Sequence, residues 1–149
     1  MLIESVMYNR VLDSGTLFTK GFAEEVVRRF KEDKDFRSSI ELVQTYSNGD
    51  SLELDWISVA LVLKELYLTQ DCLMADAEVL DTPNGRIIKS LSESGKEFVL
   101  LPRFMCNPLR VDGIDIVSAG SCSCLSFVVK EKSYGKQDLG SIASSLDKN

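Results

Sequence analysis

Histidine is absent from the 149 residues of this chain. A Ser–His or Cys–His nucleophilic mechanism needs an imidazole base, so no such site can be assembled from one copy. His-ligated metal sites are excluded with it. A basic excess is also missing: 17 Lys and Arg stand against 23 Asp and Glu, a net charge of −6. Nucleic acid and anionic membranes are bound through clustered cations, so neither is the expected partner. No apolar run approaches the roughly 20 residues needed to span a bilayer. The opening MLIESVMYNR lacks the basic-then-apolar order of a signal peptide. Cysteine is sparse and uneven, at 72, 106, 122 and 124. The expectation is free thiols in a reducing cytoplasm, with neither a disulfide frame nor a bound metal.

What remains is ordinary for a globular chain: 44% hydrophobic and 27% charged residues, enough for one core. The expected organisation is a single domain over 1–130 and a polar segment over 131–149, either a flexible tail or a loosely held last helix, with only Leu139, Ile142 and Leu146 as apolar spacing. Residues 1–9 suit a first strand, and 11–16 a turn. Thr19 is placed to cap a helix whose buried stripe is Phe22, Val26 and Phe30, ending near Lys34. A short strand is expected at 40–45, followed by the turn signal SNGD at 47–50. The run 58–68 is rich in branched and aromatic residues and is read as a strand, although Ala, Leu, Lys and Glu make a helix the rival. A hairpin at 69–71 leads into a strand over 72–80.

The most patterned stretch is DAEVLDTPNGRIIKSLSESGKEF, at 76–98. Thr82 occupies an N-cap, Pro83 the first helical position, and Gly95 the left-handed residue beyond the end. A helix over 83–94 follows, buried through Ile87, Ile88 and Leu91. Gly85 inside its first turn costs about 1 kcal/mol against alanine, which points to a close backbone approach. Strands are then expected at 96–102, 114–117 and 125–129, with MCNPLRVDG as a loop. The proline at 102 is expected to end its strand or to lie at an edge.

Several groupings invite chemistry and have plainer explanations. Cys122 and Cys124 would share a strand face, but structural zinc needs paired ligands, and Cys72 and Cys106 stand alone in the sequence. GSCSCLS lacks the strand–turn–helix setting of a nucleophile elbow. Lys64, Lys89, Lys96 and Lys130 are the available bases for a His-free nucleophile, and their spacing selects none. TPNG has no GK[ST] ending and so is not a phosphate loop. Asp76, Glu78 and Asp81 form the nearest thing to a carboxylate cluster and read as a solvated face.

AEVLDTPNGRIIKSLSESG resembles a segment of the tailed-bacteriophage prohead maturation proteases, relatives of the herpesvirus assemblin protease, with LDTPNGR as its specific core. LFTKGFAEEVVRRFKED and LDWISVALVLKELYL are similar to elements before it, and order and spacing agree over roughly 8–129. The resemblance implies an α+β fold, an antiparallel barrel-like sheet with two main flanking helices. It also implies a Ser nucleophile and a His base on neighbouring strands. At the base position this chain has Gln44 or Thr45. At the two serine positions it has Leu101 and Pro102, followed by the family's arginine as Arg103, with Phe104 in place of a glycine. The expectation is therefore no catalytic residue, no cofactor and no metal. The chain is expected to be a non-catalytic phage structural or assembly protein with a capsid, scaffold or decoration role. It would bind capsid or scaffold proteins or its own copies, in the host cytoplasm during assembly and in the virion if retained. The alternatives are a protease with a His-free catalytic set, or a small inhibitor of a phage or host protein.

Overall fold

The computed structural model describes residues 1–12, 15–46, 58–120 and 122–132. Its elements, in chain order, are β1 (Leu2–Met7), β2 (Thr16–Phe18), α1 (Lys20–Glu32), α2 (Lys34–Ile40), β3 (Leu42–Thr45), β4 (Val59–Leu68), β5 (Cys72–Val79), α3 (Pro83–Glu93), β6 (Phe98–Cys106), β7 (Leu109–Val111), β8 (Ile114–Val117) and β9 (Cys122–Glu131). Six of the strands close a barrel in the order β1-β5-β4-β3-β9-β6, and β2, β8 and β7 form a separate small sheet. The fold is α+β, as expected. The sheet is mixed rather than antiparallel, because β1 lies parallel to β6 and β3 parallel to β9. The described residues also contain three helices where two were expected.

The extra helix is a consequence of Asp33. Its extended backbone (φ −110°, ψ 104°) stops α1, while its carboxylate accepts from the amides of Asp35 and Phe36, each at 3.1 Å, and caps α2. Arg29 stacks 4.0 Å from the Phe36 ring and Arg37 4.6 Å from that of Phe30, tying the two helices together. The helix expected to end near Lys34 thus stops at Glu32, and a second one starts at Lys34. Its predicted cap holds, with Thr19 accepting from the Phe22 amide at 3.1 Å, and Phe22, Val26 and Phe30 are buried.

Strand wins over helix in β4 because both its edges are used. It pairs antiparallel with β3 and with β5, and Val59, Ala60, Leu61 and Leu63 are buried. Tertiary pairing of this kind overrides local propensity. The polar segment expected from 131 begins inside the barrel. Glu131 ends β9, and the Lys132 amide donates to the Glu97 carbonyl. The remainder, like the turn expected at 47–50, lies outside the described residues.

Pro102 sits in the middle of β6 rather than at its end, opposite Phe127 of β9. The reason is directional. Along an antiparallel strand, alternate residues point their backbone groups to the same side. Leu100 directs its carbonyl to β1, where the Ser5 hydroxyl donates to it at 2.7 Å. Pro102 therefore faces the same way, away from β9, so its missing donor costs no bond in the β6–β9 ladder. MCNPLRVDG, expected as a loop, instead supplies the end of β6, all of β7, and a hairpin turn with Asp112 at φ 51° and Gly113 at φ 78°.

The TPNG turn between β5 and α3 is fixed residue by residue. The Thr82 hydroxyl accepts from the Gly85 amide at 3.1 Å and donates to the Val59 carbonyl at 2.6 Å, so one side chain caps α3 and pins it to β4. The Asn84 amide donates to the Thr45 hydroxyl at 3.0 Å, reaching β3. A β-carbon at Gly85 would collide with the Leu80 carbonyl oxygen, which accounts for glycine in a helical turn.

Thr82→Ala should therefore cost about 2 kcal/mol, more than a simple cap, while Thr82→Ser stays near wild type. Gly85→Ala should destabilise by about 1–3 kcal/mol despite its gain in helix propensity. Urea denaturation of the three variants checks both, and a stabilised Gly85→Ala would contradict the close approach.

Candidate functional site

Strand order brings the two halves of the family's expected site together. Gln44 of β3 lies opposite Val128 of β9, and Val128 lies opposite Leu101 of β6. Paired residues across a sheet share a face, so Gln44, Val128 and Leu101 form one row. With strands about 4.8 Å apart, the Gln44 and Leu101 backbones are roughly 10 Å from one another. Two residues along the same face, Arg103 stands opposite Ser126. The row is closed to solvent: Gln44 is 9% exposed, Leu101 and Val128 1%, and Arg103 4%. Thr45, the other candidate for the base position, pairs with Val129 and belongs to the alternate face, where its hydroxyl accepts from Asn84.

The chemistry of the row is limited by its groups. A glutamine amide is neither an acid nor a base near neutral pH, and leucine and valine have no nucleophile. Pro102 and Phe104 are buried in the same strand. Arg103 alone carries charge. Ser126 supplies a hydroxyl opposite it, a pairing sequence reasoning missed, since only the register of β9 against β6 creates it.

The remaining sequence candidates are scattered. Asp76 pairs with the Met1 amino group at 3.4 Å, Glu78 with Lys64 at 3.3 Å, and Asp81 with Arg86 at 2.6 Å. The hydrogen bond and charge of Arg86 hold the Asp81 carboxyl below its usual range. Each acid has its own cation and faces solvent, so the three do not converge. Lys96 pairs with Glu131 at 3.6 Å, and Lys89 lies exposed on α3. Lys130 is on the Val128 face, with its ammonium held 4.7 Å above the Tyr46 ring. The register places Cys106 opposite Cys122, which spacing in the sequence did not reveal. Cys72 is a free, buried thiol beside the Thr69 hydroxyl.

The barrel with its connecting helices is a prohead-protease-like fold. A solved structure with it is the bacteriophage T4 capsid assembly protease, gp21. It aligns over 86% of this chain and 80% of that one, with a TM-score of 0.67 and 13% sequence identity. The likeness is one of fold. The chain matches no protein-family model and no curated protein sequence.

Burial pushes the Cys72 thiol above its ordinary value, only partly offset by the Thr69 hydrogen bond. A raised thiol favours the protonated folded form. Its contribution to stability is complete below the unfolded thiol's value of about 8.5 and is lost as pH rises through the folded value. Native Cys72 should thus alkylate much more slowly at pH 8 than in denaturant, as peptide mass mapping would show. Equal rates would contradict the burial.

Proposed function

We propose that this chain is a non-catalytic phage assembly protein built on a protease-like scaffold, binding capsid or scaffold components. The observation that supports it is the row Gln44–Val128–Leu101. The positions at which the resemblance implies base and nucleophile are neighbours across β9, so the scaffold is kept, yet they hold an amide and an aliphatic side chain. Arg103 can stabilise negative charge but cannot open a peptide bond without a nucleophile. Leucine and valine fill the space that a hydroxyl and an attacking geometry would need. Recognition of other head components is then the role left to the fold. The structural neighbour's capsid assembly role supports placing that recognition in phage head assembly.

The test is incubation of the purified chain with unprocessed phage head proteins, alongside a serine-directed covalent probe. No cleavage and no labelling are expected. Leu101→Ser should not create activity, because the base position remains glutamine and such residues act as a unit. It should destabilise the fold by about 3 kcal/mol through loss of buried aliphatic volume. Specific cleavage abolished by mutating one Ser, Cys or Lys would establish a protease with a His-free catalytic set instead. A capsid role further predicts the chain in purified particles by mass spectrometry, where an inhibitor would be missing.

A further inference from the structure

β6 and β9 run antiparallel in regular register from Phe98 opposite Glu131 to Met105 opposite Cys124. One further step of that register would set Cys106 against Ser123. The pairing slips instead, and Cys106 stands opposite Cys122. The irregularity thus brings two cysteines onto partner positions. Directly opposed residues of antiparallel strands have α-carbons about 4.5–5.5 Å apart, inside the roughly 4.4–6.8 Å that a disulfide spans. The other combinations fit less well. Cys124 is opposite Met105, one step from Cys106 and so on the alternate face. Cys122 and Cys124 lie along one strand, where two residues are up to about 6.8 Å apart, at the limit of that span. Cys72 belongs to β5, which β1 separates from β6. The segment between Cys106 and Cys122 carries β7 and β8, so the pair sits at the stem of the small sheet. The inner face of that sheet pairs Phe18 with Val117 and seats Phe18 against Phe22 and Phe104, with ring centroids 5.3 and 5.8 Å away. The neighbours of the pair are open to solvent: Met105 is 46% exposed, and Asn107 and residues 118–120 are exposed. A small oxidant can therefore reach this end of the barrel.

We propose that Cys106 and Cys122 form a disulfide site, open as two thiols in a reducing cytoplasm and closed outside it by a small-molecule disulfide such as oxidised glutathione. One cysteine, as thiolate, attacks a sulfur of the oxidant and expels one glutathione thiolate, leaving a mixed disulfide. The second thiolate attacks the protein sulfur of that intermediate, forms the Cys106–Cys122 bond and expels the second glutathione thiolate. Two protein thiols are oxidised, one disulfide is reduced, and the two thiol protons end on the two glutathiones. The bond ties the end of β6 to the start of β9, on either side of the β7–β8 hairpin. It needs no change of fold, because the register already opposes the two residues. Closing that loop restricts the unfolded chain and so stabilises the small sheet on the barrel end.

The proposal does not depend on whether the barrel is catalytic or on what it binds. In the test, the purified full chain is held at pH 8 with oxidised glutathione or with dithiothreitol, and its tryptic peptides are mapped without reduction. After oxidation alone, the peptide holding Cys106 should be joined to the one holding Cys122, and the intact chain should lose two hydrogens. Cys122 and Cys124 share one tryptic peptide, so Cys124→Ser assigns the bridge. The bridge should still form in that variant and be absent from Cys106→Ser and Cys122→Ser. Oxidation should raise the melting temperature of the wild type and of Cys124→Ser by roughly 6–12 °C, the size expected for closing a loop of about 15 residues. Cys106→Ser and Cys122→Ser should ignore the oxidant, and the wild-type map decides by itself if either melts early. A bridge through Cys124 or Cys72, one between two copies, or one formed only in denaturant would overturn the proposal. So would a chain that keeps all its thiols or carries glutathione on a single cysteine.

Discussion

The Ser5 hydroxyl reaches the Leu100 carbonyl at 2.7 Å, and Glu4 stands opposite Val99. At this seam a strand from the start of the chain meets one that begins almost a hundred residues later, and the ring closes. Without it β1 and β6 would each present an unpaired edge, with the aggregation hazard edges carry. β1 lies between β5 and β6 in the ring, so β6 cannot follow β5 by a hairpin. It must be set down beyond β1, and α3 makes that connection. This is why the β5–α3 turn is so tightly specified. Thr82 fixes the helix to β4, Asn84 to β3, and Gly85 lets it start directly against Leu80. Lys132 and Glu4, 2.6 Å apart, bring the end of β9 back to the same seam, and their hydrogen bond raises the Lys132 ammonium.

The second parallel seam, β3 to β9, decides what the site can be. It inserts β9 between the strand carrying Gln44 and the strand carrying Leu101. Groups on β3 and β6 then meet only across the width of β9, a distance that a pair of side chains can bridge but a backbone cannot. Burial there makes an ionisable group costly unless it is partnered, and Arg103 is the one charged side chain this row carries. Leu101 and Val128 beside it are aliphatic and pack the barrel, where a functional site would cost stability.

What the sequence disclosed divides by range. The α3 turn was readable because its cap, first-turn proline and closing glycine at φ 96° act within a few residues of one another. The cap of α1 was readable for the same reason. Asp33 was not: it ends one helix and starts the next, and its capping role shows only in the bonds its carboxylate accepts from the Asp35 and Phe36 amides. Val111-Asp112-Gly113-Ile114 carries a strong local hairpin signal, but β7 is only three residues long, too short for alternation to mark it as a strand. The parallel seams, the place of Pro102 and the pairing of Arg103 with Ser126 depend on register between distant strands, which no local pattern encodes. The positions of the candidate site came from the family resemblance, and their adjacency came from the fold.

The small sheet links these levels. Its inner face supplies the aromatic contact that closes one barrel end, so Phe18 and Val117 are required for the fold itself. Nothing in that requirement explains Leu109, Val111 and Val11. Alternation along a strand leaves the outward residue free to be polar at almost no cost to the core. Three exposed aliphatic side chains on one short face lower solubility and contribute little to the monomer. A face both expensive to leave open and unnecessary for folding is accounted for when something covers it.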